Sequence, residues 1–227
     1  MISKNQLKRR LSLIKFKLKK ALGKDEKIFI IGRNKTGTTS LKEVFENLGY
    51  SIGNQATAEL FIDDYEKKDF SRILTYCDSA EVFQDAPFSW PETYKHIFKK
   101  YPNAKYILLE RESSEAWYNS LTRFHRKIIK NGEPINAIDL KNFGYRRKGF
   151  LWQAAQVVYG VNEKTIYNKG LYINNYEAYN REVKEFFMNN KNFLSIVLSN
   201  TNTVEQLATF LNKPMSDIKI PHSNKSQ

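Results

Sequence analysis

Two glycines, Gly32 and Gly37, enclose Arg33, Asn34, Lys35 and Thr36, and Thr38 and Thr39 follow directly. The apolar run Ile28-Phe29-Ile30-Ile31 leads into this loop and a helical pattern leaves it. A glycine loop between a strand and a helix turns successive backbone N–H groups towards one anion, and the helix start adds partial positive charge. The chemistry indicated is phosphate binding. In a triphosphate loop the lysine directly follows the second glycine and reaches the terminal phosphates, while a hydroxyl holds magnesium. Here that place belongs to Thr38, and Lys35 stands two residues before Gly37. No obvious acidic run offers magnesium ligands. A donor with one anchored phosphate and one displaced lysine fits better.

A second phosphate motif lies downstream. Lys105-Tyr106-Ile107-Leu108-Leu109-Glu110-Arg111 reads as a buried strand ending in arginine. Ser113 or Ser114 then caps a helix through Trp117, Asn119 and Ser120.

The loop resembles the 5′-phosphosulfate loop of sulfotransferases that use 3′-phosphoadenosine 5′-phosphosulfate. In that family a Lys-Thr/Ser-Gly-Thr-Thr segment follows the first strand, and its lysine contacts the oxygen bridging phosphate and sulfur. The resemblance implies that Lys35 is the catalytic lysine and that Arg33, Asn34, Thr36, Gly37, Thr38 and Thr39 form the 5′-phosphate cradle. It also implies adenosine 3′,5′-bisphosphate as product and no metal.

The strand, arginine and helix are similar to the family's 3′-phosphate site, where arginine pairs with the phosphate in forked geometry and a serine adds a hydrogen bond. That serine falls eight residues after the arginine in the family, a place held here by Asn119. Ser120 lies one further but keeps the three-residue step from Trp117, so an extra residue within 112–114 would preserve the helix phase. Ser120 is favoured and Asn119 is the alternative. The segments Arg123-Phe124-His125-Arg126, Gly149-Phe150-Leu151-Trp152 and Pro221-His222-Ser223-Asn224-Lys225 are similar to bacterial members too. Many members have a glycine-rich tail on the 3′-phosphate. This tail lacks those glycines and offers Asn224 and Lys225 instead.

Sulfuryl transfer to a hydroxyl or amine needs a base for the acceptor. Asp85, directly after the apolar run Val82-Phe83-Gln84, is the first candidate, because a strand-end carboxylate faces the same crevice as the loop. A turn cap is its bland alternative. His125 is the second candidate base, although a structural role is the commoner fate of a lone histidine. His96, in a helical pattern, reads as solvated. Phe88, Trp90, Tyr145 and Trp152 are candidates for an acceptor pocket or, more simply, for core. The acceptor expected is a small molecule or carbohydrate.

These groups need strands to carry them. Apolar runs at 28–31, 81–84, 105–110 and 193–198 alternate with helical patterns at 38–48, 61–76, 91–100, 114–130, 147–159 and 202–211, and 130–149 reads as the longest loop. Alternation of this kind implies a parallel sheet covered on both faces, with ligands beyond the strands' carboxyl ends. The fold expected is α/β, a three-layer P-loop-like arrangement with a central parallel sheet flanked by helices.

A chain of 227 residues is long enough for one substantial core. Its one cysteine, Cys77, reads as a buried small hydrophobe in a reducing compartment. The net charge of +13 suggests nucleic acid until it is mapped, because nine basic residues and no acidic one fall within 1–24, which leaves about +4 elsewhere. There Leu7, Leu11, Ile14, Leu18 and Leu22 repeat at helical spacing. Residues 1–26 are thus expected as a basic amphipathic helix and 27–227 as a single sulfotransferase-like domain. The helix either packs on the domain or lies on anionic lipid, and nucleic acid is disfavoured. Lysines interrupt every apolar core of a signal-peptide kind, which suggests a cytoplasmic protein with peripheral contact at the inner membrane face as an option. A P-loop small-molecule kinase and a non-catalytic membrane or nucleic-acid binding module remain the other classes.

Overall fold

The computed structural model describes residues 4–23 and 26–221. The candidate tail residues Asn224 and Lys225 lie outside them, as does Lys24 of the basic segment. After helix α1 (Lys4–Ala21) come strand β1 (Ile28–Ile30), helix α2 (Thr38–Asn47) and three short helices, α3 (Gln55–Glu59), α4 (Ile62–Glu66) and α5 (Ser71–Tyr76). Strand β2 (Val82–Gln84), α6 (Thr93–Lys100), β3 (Lys105–Glu110) and α7 (Ser114–Lys130) follow. The chain continues with α8 (Ala137–Asn142), α9 (Phe150–Tyr159), α10 (Lys169–Phe186), β4 (Phe193–Val197) and α11 (Thr203–Leu211).

The four strands pair in parallel in the order β2-β1-β3-β4. Alternate side chains of one strand point to opposite faces, so each strand feeds two cores. Phe29, Phe83, Tyr106 and Leu108 join the core that also holds Ile62, Ile73, Tyr94 and Tyr179. Ile28, Ile30, Ile107 and Leu109 join the other, with Val44 of α2 and Leu207 of α11. Helices on both faces make the three layers expected of an α/β fold. Connections from β1 and β3 leave to opposite sides of the sheet, so a crevice opens where the strand order reverses.

Three elements depart from expectation. The single helix anticipated over 61–76 is broken at Lys68, which has a φ of 60°, and Asp69 then accepts from the Ser71 N–H at 2.9 Å in the turn that leads into α5. The stretch 130–149 is no plain loop, since a capping box between Asn136 and Asp139 starts α8. The 18-residue α10 was unforeseen, and its buried residues are Tyr172, Tyr176, Tyr179, Asn180 and Val183. The spacing is helical, but a stripe made of tyrosine and asparagine hides it from a search for apolar periodicity.

Candidate active site

The glycine loop begins as β1 ends. At Gly32 an added Cβ would lie 2.4 Å from the backbone oxygen of Leu109, so only glycine lets the loop pass against β3. At Gly37, φ is 107° and a Cβ would meet Leu198 Cδ1 at 2.5 Å. Gly37 also occupies the N-cap of α2, where it brings no side-chain acceptor for the first free N–H groups of the helix. Thr38 and Thr39 in that uncapped turn line a cavity of about 640 Å³.

Lys35 takes the left-handed conformation, with φ at 68°. Two hydrogen bonds hold the loop there from the neighbouring corner. Arg111 Nε donates to the Lys35 carbonyl at 2.8 Å, and Trp117 Nε1 donates to the Asn34 carbonyl at 2.9 Å. The Lys35 ammonium lies 3.9 Å above the centre of the Phe124 ring. Burial lowers its pKa, Asp85 opposes that shift, and Arg111 adds to it.

Arg111 follows β3, and its backbone N–H donates to the Tyr176 hydroxyl at 3.0 Å. Its Nη2 donates to Ser120 Oγ at 3.2 Å. Asn119 is exposed one residue earlier on α7 and faces away from the cavity lining. The arginine and the serine thus form one corner, and Trp117, stacked on Tyr176 at 4.4 Å, braces it from behind.

Asp85 follows β2 with φ at 59°. Its Oδ1 accepts from the Ala86 N–H at 2.9 Å, and its Oδ2 accepts from the Thr38 hydroxyl at 3.5 Å. Burial, then the charge of Glu59, raises its pKa to about 6, against the opposing pull of the Ala86 N–H, Lys35 and Thr38. His125 Nδ1 pairs with the Tyr167 hydroxyl at 2.7 Å. Burial and then the Lys35 charge lower its pKa to about 4, so the ring is neutral at neutral pH.

The cavity brings together Lys35, Thr38, Asp85, Arg111, Ser120 and His125. Other candidates are placed differently. The buried Arg33 guanidinium donates to the Ser89 carbonyl at 3.2 Å and to Asn175 Oδ1 at 2.9 Å, and it stacks over Tyr179 at 4.1 Å. It braces the loop against α10. Thr36, also buried, donates its hydroxyl to the Arg33 carbonyl at 2.6 Å. Trp90 and Tyr145 line the cavity, whereas Phe88 packs in the core on Phe29 and Phe83. Trp152 lies outside the lining with Lys141 over its ring at 5.0 Å. His96 is exposed and stacks on Phe70 at 3.8 Å. Cys77 is buried, its thiol pushed up to about 12 mainly by desolvation.

Glu59 and Gln55 were not foreseen. Glu59 is buried in the cavity wall, accepts from Gln55 Nε2 at 3.2 Å and pairs with Arg146 Nε. Gln55 Nε2 also donates to the Ala86 carbonyl at 2.9 Å, which ties this carboxylate to the Asp85 turn. Burial raises the Glu59 pKa, with Gln55 and Arg146 pulling the other way. The five-residue α3 is too short for periodicity to mark, and Arg146 sits in the stretch read as loop.

No curated protein matches the chain at a significant level. A family model described as a sulfotransferase domain matches residues 27–227. A displaced loop lysine, an arginine and serine corner, and a carboxylate beside them suit that family's chemistry, and the chain belongs to the sulfotransferases, enzymes that transfer a sulfuryl group.

Proposed function

We propose that the enzyme takes its sulfuryl group from 3′-phosphoadenosine 5′-phosphosulfate and passes it to a hydroxyl of a small-molecule or carbohydrate acceptor. The observation that carries this reading is the bond from Arg111 to the Lys35 carbonyl, because it joins two phosphate-binding corners in one cavity. The residues fit such a donor. The uncapped turn at Gly37, Thr38 and Thr39 would hold the 5′-phosphate, and Arg111 with Ser120 would hold the 3′-phosphate.

When bound, the donor supplies an activated sulfur on a phosphate leaving group. Lys35 places positive charge at the oxygen where negative charge develops, a stabilisation that a buried site strengthens. Asp85 Oδ2 accepts the proton from the acceptor hydroxyl. A carboxyl pKa of about 6 leaves it mostly ionised at neutral pH yet basic enough to help. Burial and then the Glu59 charge keep that carboxyl high, and Glu59, Gln55 and Tyr145 make the acceptor wall polar. A cytoplasmic setting belongs to the same proposal.

Calorimetric titration with adenosine 3′,5′-bisphosphate, beside ATP with magnesium, tests the donor. Micromolar binding of the bisphosphate that weakens in Arg111→Ala supports the proposal. Binding of magnesium ATP alone would replace it with a kinase.

A further inference from the structure

Helix α1 is mounted the wrong way round for a helix that serves only its own domain. It meets the rest of the chain through Phe16, which is 3% exposed, and through ion pairs of Arg9 with Glu46 at 3.6 Å, Lys19 with Glu81 at 2.6 Å and Lys20 with Asp78 at 3.8 Å. Glu81 is itself buried and held by the Ser51 N–H at 2.9 Å, so this attachment has a rigid base. The apolar stripe turns outward. Leu7, Leu11, Ile14, Leu18 and Leu22 are between 50% and 69% exposed.

An amphipathic helix on a soluble domain ordinarily buries its apolar stripe and leaves its charges in water. A contiguous apolar face left open marks a surface that something else covers. The charges beside it say what. With 3.6 residues per turn, Lys8 and Lys15 border the stripe on one side and Arg10 and Lys17 on the other, and all four are exposed. Two basic borders around an apolar stripe match a bilayer surface, where leucines enter the acyl boundary and cations meet anionic headgroups. They do not match a second copy, since a symmetric pairing would bring like charges together along both borders. Nucleic acid would satisfy the bases and leave the leucines in water.

We infer that α1 docks the enzyme peripherally on anionic lipid, with Leu7, Leu11, Ile14, Leu18 and Leu22 inserted and Lys8, Arg10, Lys15 and Lys17 on the headgroups. The docking is peripheral, as no helix among the described residues is long and apolar enough to cross a membrane. The mounting also sets orientation. α1 rests on Glu81 just before β2 and on Glu46 in the last turn of α2, at the amino end of the parallel sheet. The cavity opens at the carboxyl end. The docked enzyme therefore holds its active site away from the bilayer, and its acceptor arrives from the aqueous side.

Flotation of the full chain tests this with vesicles of phosphatidylcholine alone and of phosphatidylcholine mixed with phosphatidylserine. Three variants accompany it: Leu11→Ser with Leu18→Ser, the fourfold glutamine replacement of Lys8, Arg10, Lys15 and Lys17, and Leu11→Trp. The wild type should float only with the anionic vesicles, and either multiple variant should bind at least about tenfold more weakly while melting as the wild type does. The extra indole emission that Leu11→Trp adds to the wild-type spectrum should shift to the blue and resist iodide quenching on the anionic vesicles. No flotation, equal flotation with both vesicles, or a stable dimer that Leu11→Ser with Leu18→Ser dissociates would overturn the inference. This test reads lipid binding alone, so its failure leaves the proposed donor untouched.

Discussion

Arg111 Nε and the carbonyl of Lys35 are joined by a 2.8 Å hydrogen bond, so the side chain proposed for one phosphate holds the backbone that aims the other cation. Lys35 needs such a hold, because its left-handed conformation is one that residues with a Cβ rarely adopt. Under the proposed function this bond would couple donor binding to catalysis. Arg111→Lys keeps a charge but loses the fork and the Nε donor.

Adenosine 3′,5′-bisphosphate should therefore bind Arg111→Lys roughly ten- to a hundredfold more weakly, since a hydrogen bond to a charged group is worth about 1.5–3 kcal/mol. Turnover at saturating donor should fall as well, because Lys35 loses its support. Ser120→Ala should weaken the bisphosphate more than Asn119→Ala does, given that only Ser120 touches Arg111. Calorimetry on the three variants settles it, and the reverse order at 119 and 120 would refute the assignment.

The pH dependence distinguishes the two candidate bases. The Asp85 carboxyl is held up at about 6 and His125 is held down at about 4. A base works when unprotonated, so kcat/KM should be lost as pH falls through about 6 if Asp85 takes the proton, and only through about 4 if His125 does. We expect the higher limb. Glu59→Gln should move that limb to lower pH, because the charge that helps to hold Asp85 up is gone. Unshifted limbs would remove Glu59 from this role.

The same shift has a stability sign. A carboxyl whose folded pKa is raised stabilises the fold while protonated, below its unfolded pKa of about 4. That contribution is lost as pH rises through about 6. At pH 8 the protein carries a buried ionised carboxylate at a cost to the fold. Asp85→Asn should then abolish turnover and raise the melting temperature at pH 8 but not at pH 4, a trade between activity and stability seen by calorimetric scans.

Gly32→Ala should be the most damaging small change in the loop. Its Cβ would lie 2.4 Å from the Leu109 oxygen, which belongs to the central strand β3 and cannot move aside. A loss of roughly 1–3 kcal/mol is expected, as for other overpacked sites. Gly144→Ala, with nothing within 4 Å, should melt within about 0.5 kcal/mol of the wild type. Equal melting of the two would show that the loop does not pass β3 so closely.

Much of this was readable along the chain because local rules govern it. The four strands are apolar runs, the glycine loop has fixed spacing, and Ser120 follows from helix phase relative to Trp117. Long-range contacts were not readable. Nothing local says that Arg33 reaches Asn175 on a helix 142 residues away, or that Glu59 meets Arg146 beside Asp85. The outward turn of the α1 stripe was equally hidden, since periodicity marks a face and not its direction.

Phe124 was visible only as part of a segment similar to the family, yet it forms the floor beneath Lys35. The ammonium lies 3.9 Å above its ring, a contact worth about 0.5–2 kcal/mol. Burial is the main cause of the lowered Lys35 pKa, and this ring supplies part of that burial. Phe124→Ala should admit water, and because burial is the first cause of the lowered pKa this relief outweighs the lost cation–ring attraction, so the Lys35 pKa rises back towards its ordinary value of about 10.4. The alkaline limb of kcat/KM should then move to higher pH, because Lys35 works as the charged ammonium and would keep its proton longer. Turnover at pH 7 should still fall, by roughly tenfold or less, since the charge is no longer held over one spot. Phe124→Tyr should restore most of it, as its ring presents a similar face. A variant that lost activity with its alkaline limb unmoved would show that Phe124 shapes the acceptor pocket and does not tune Lys35.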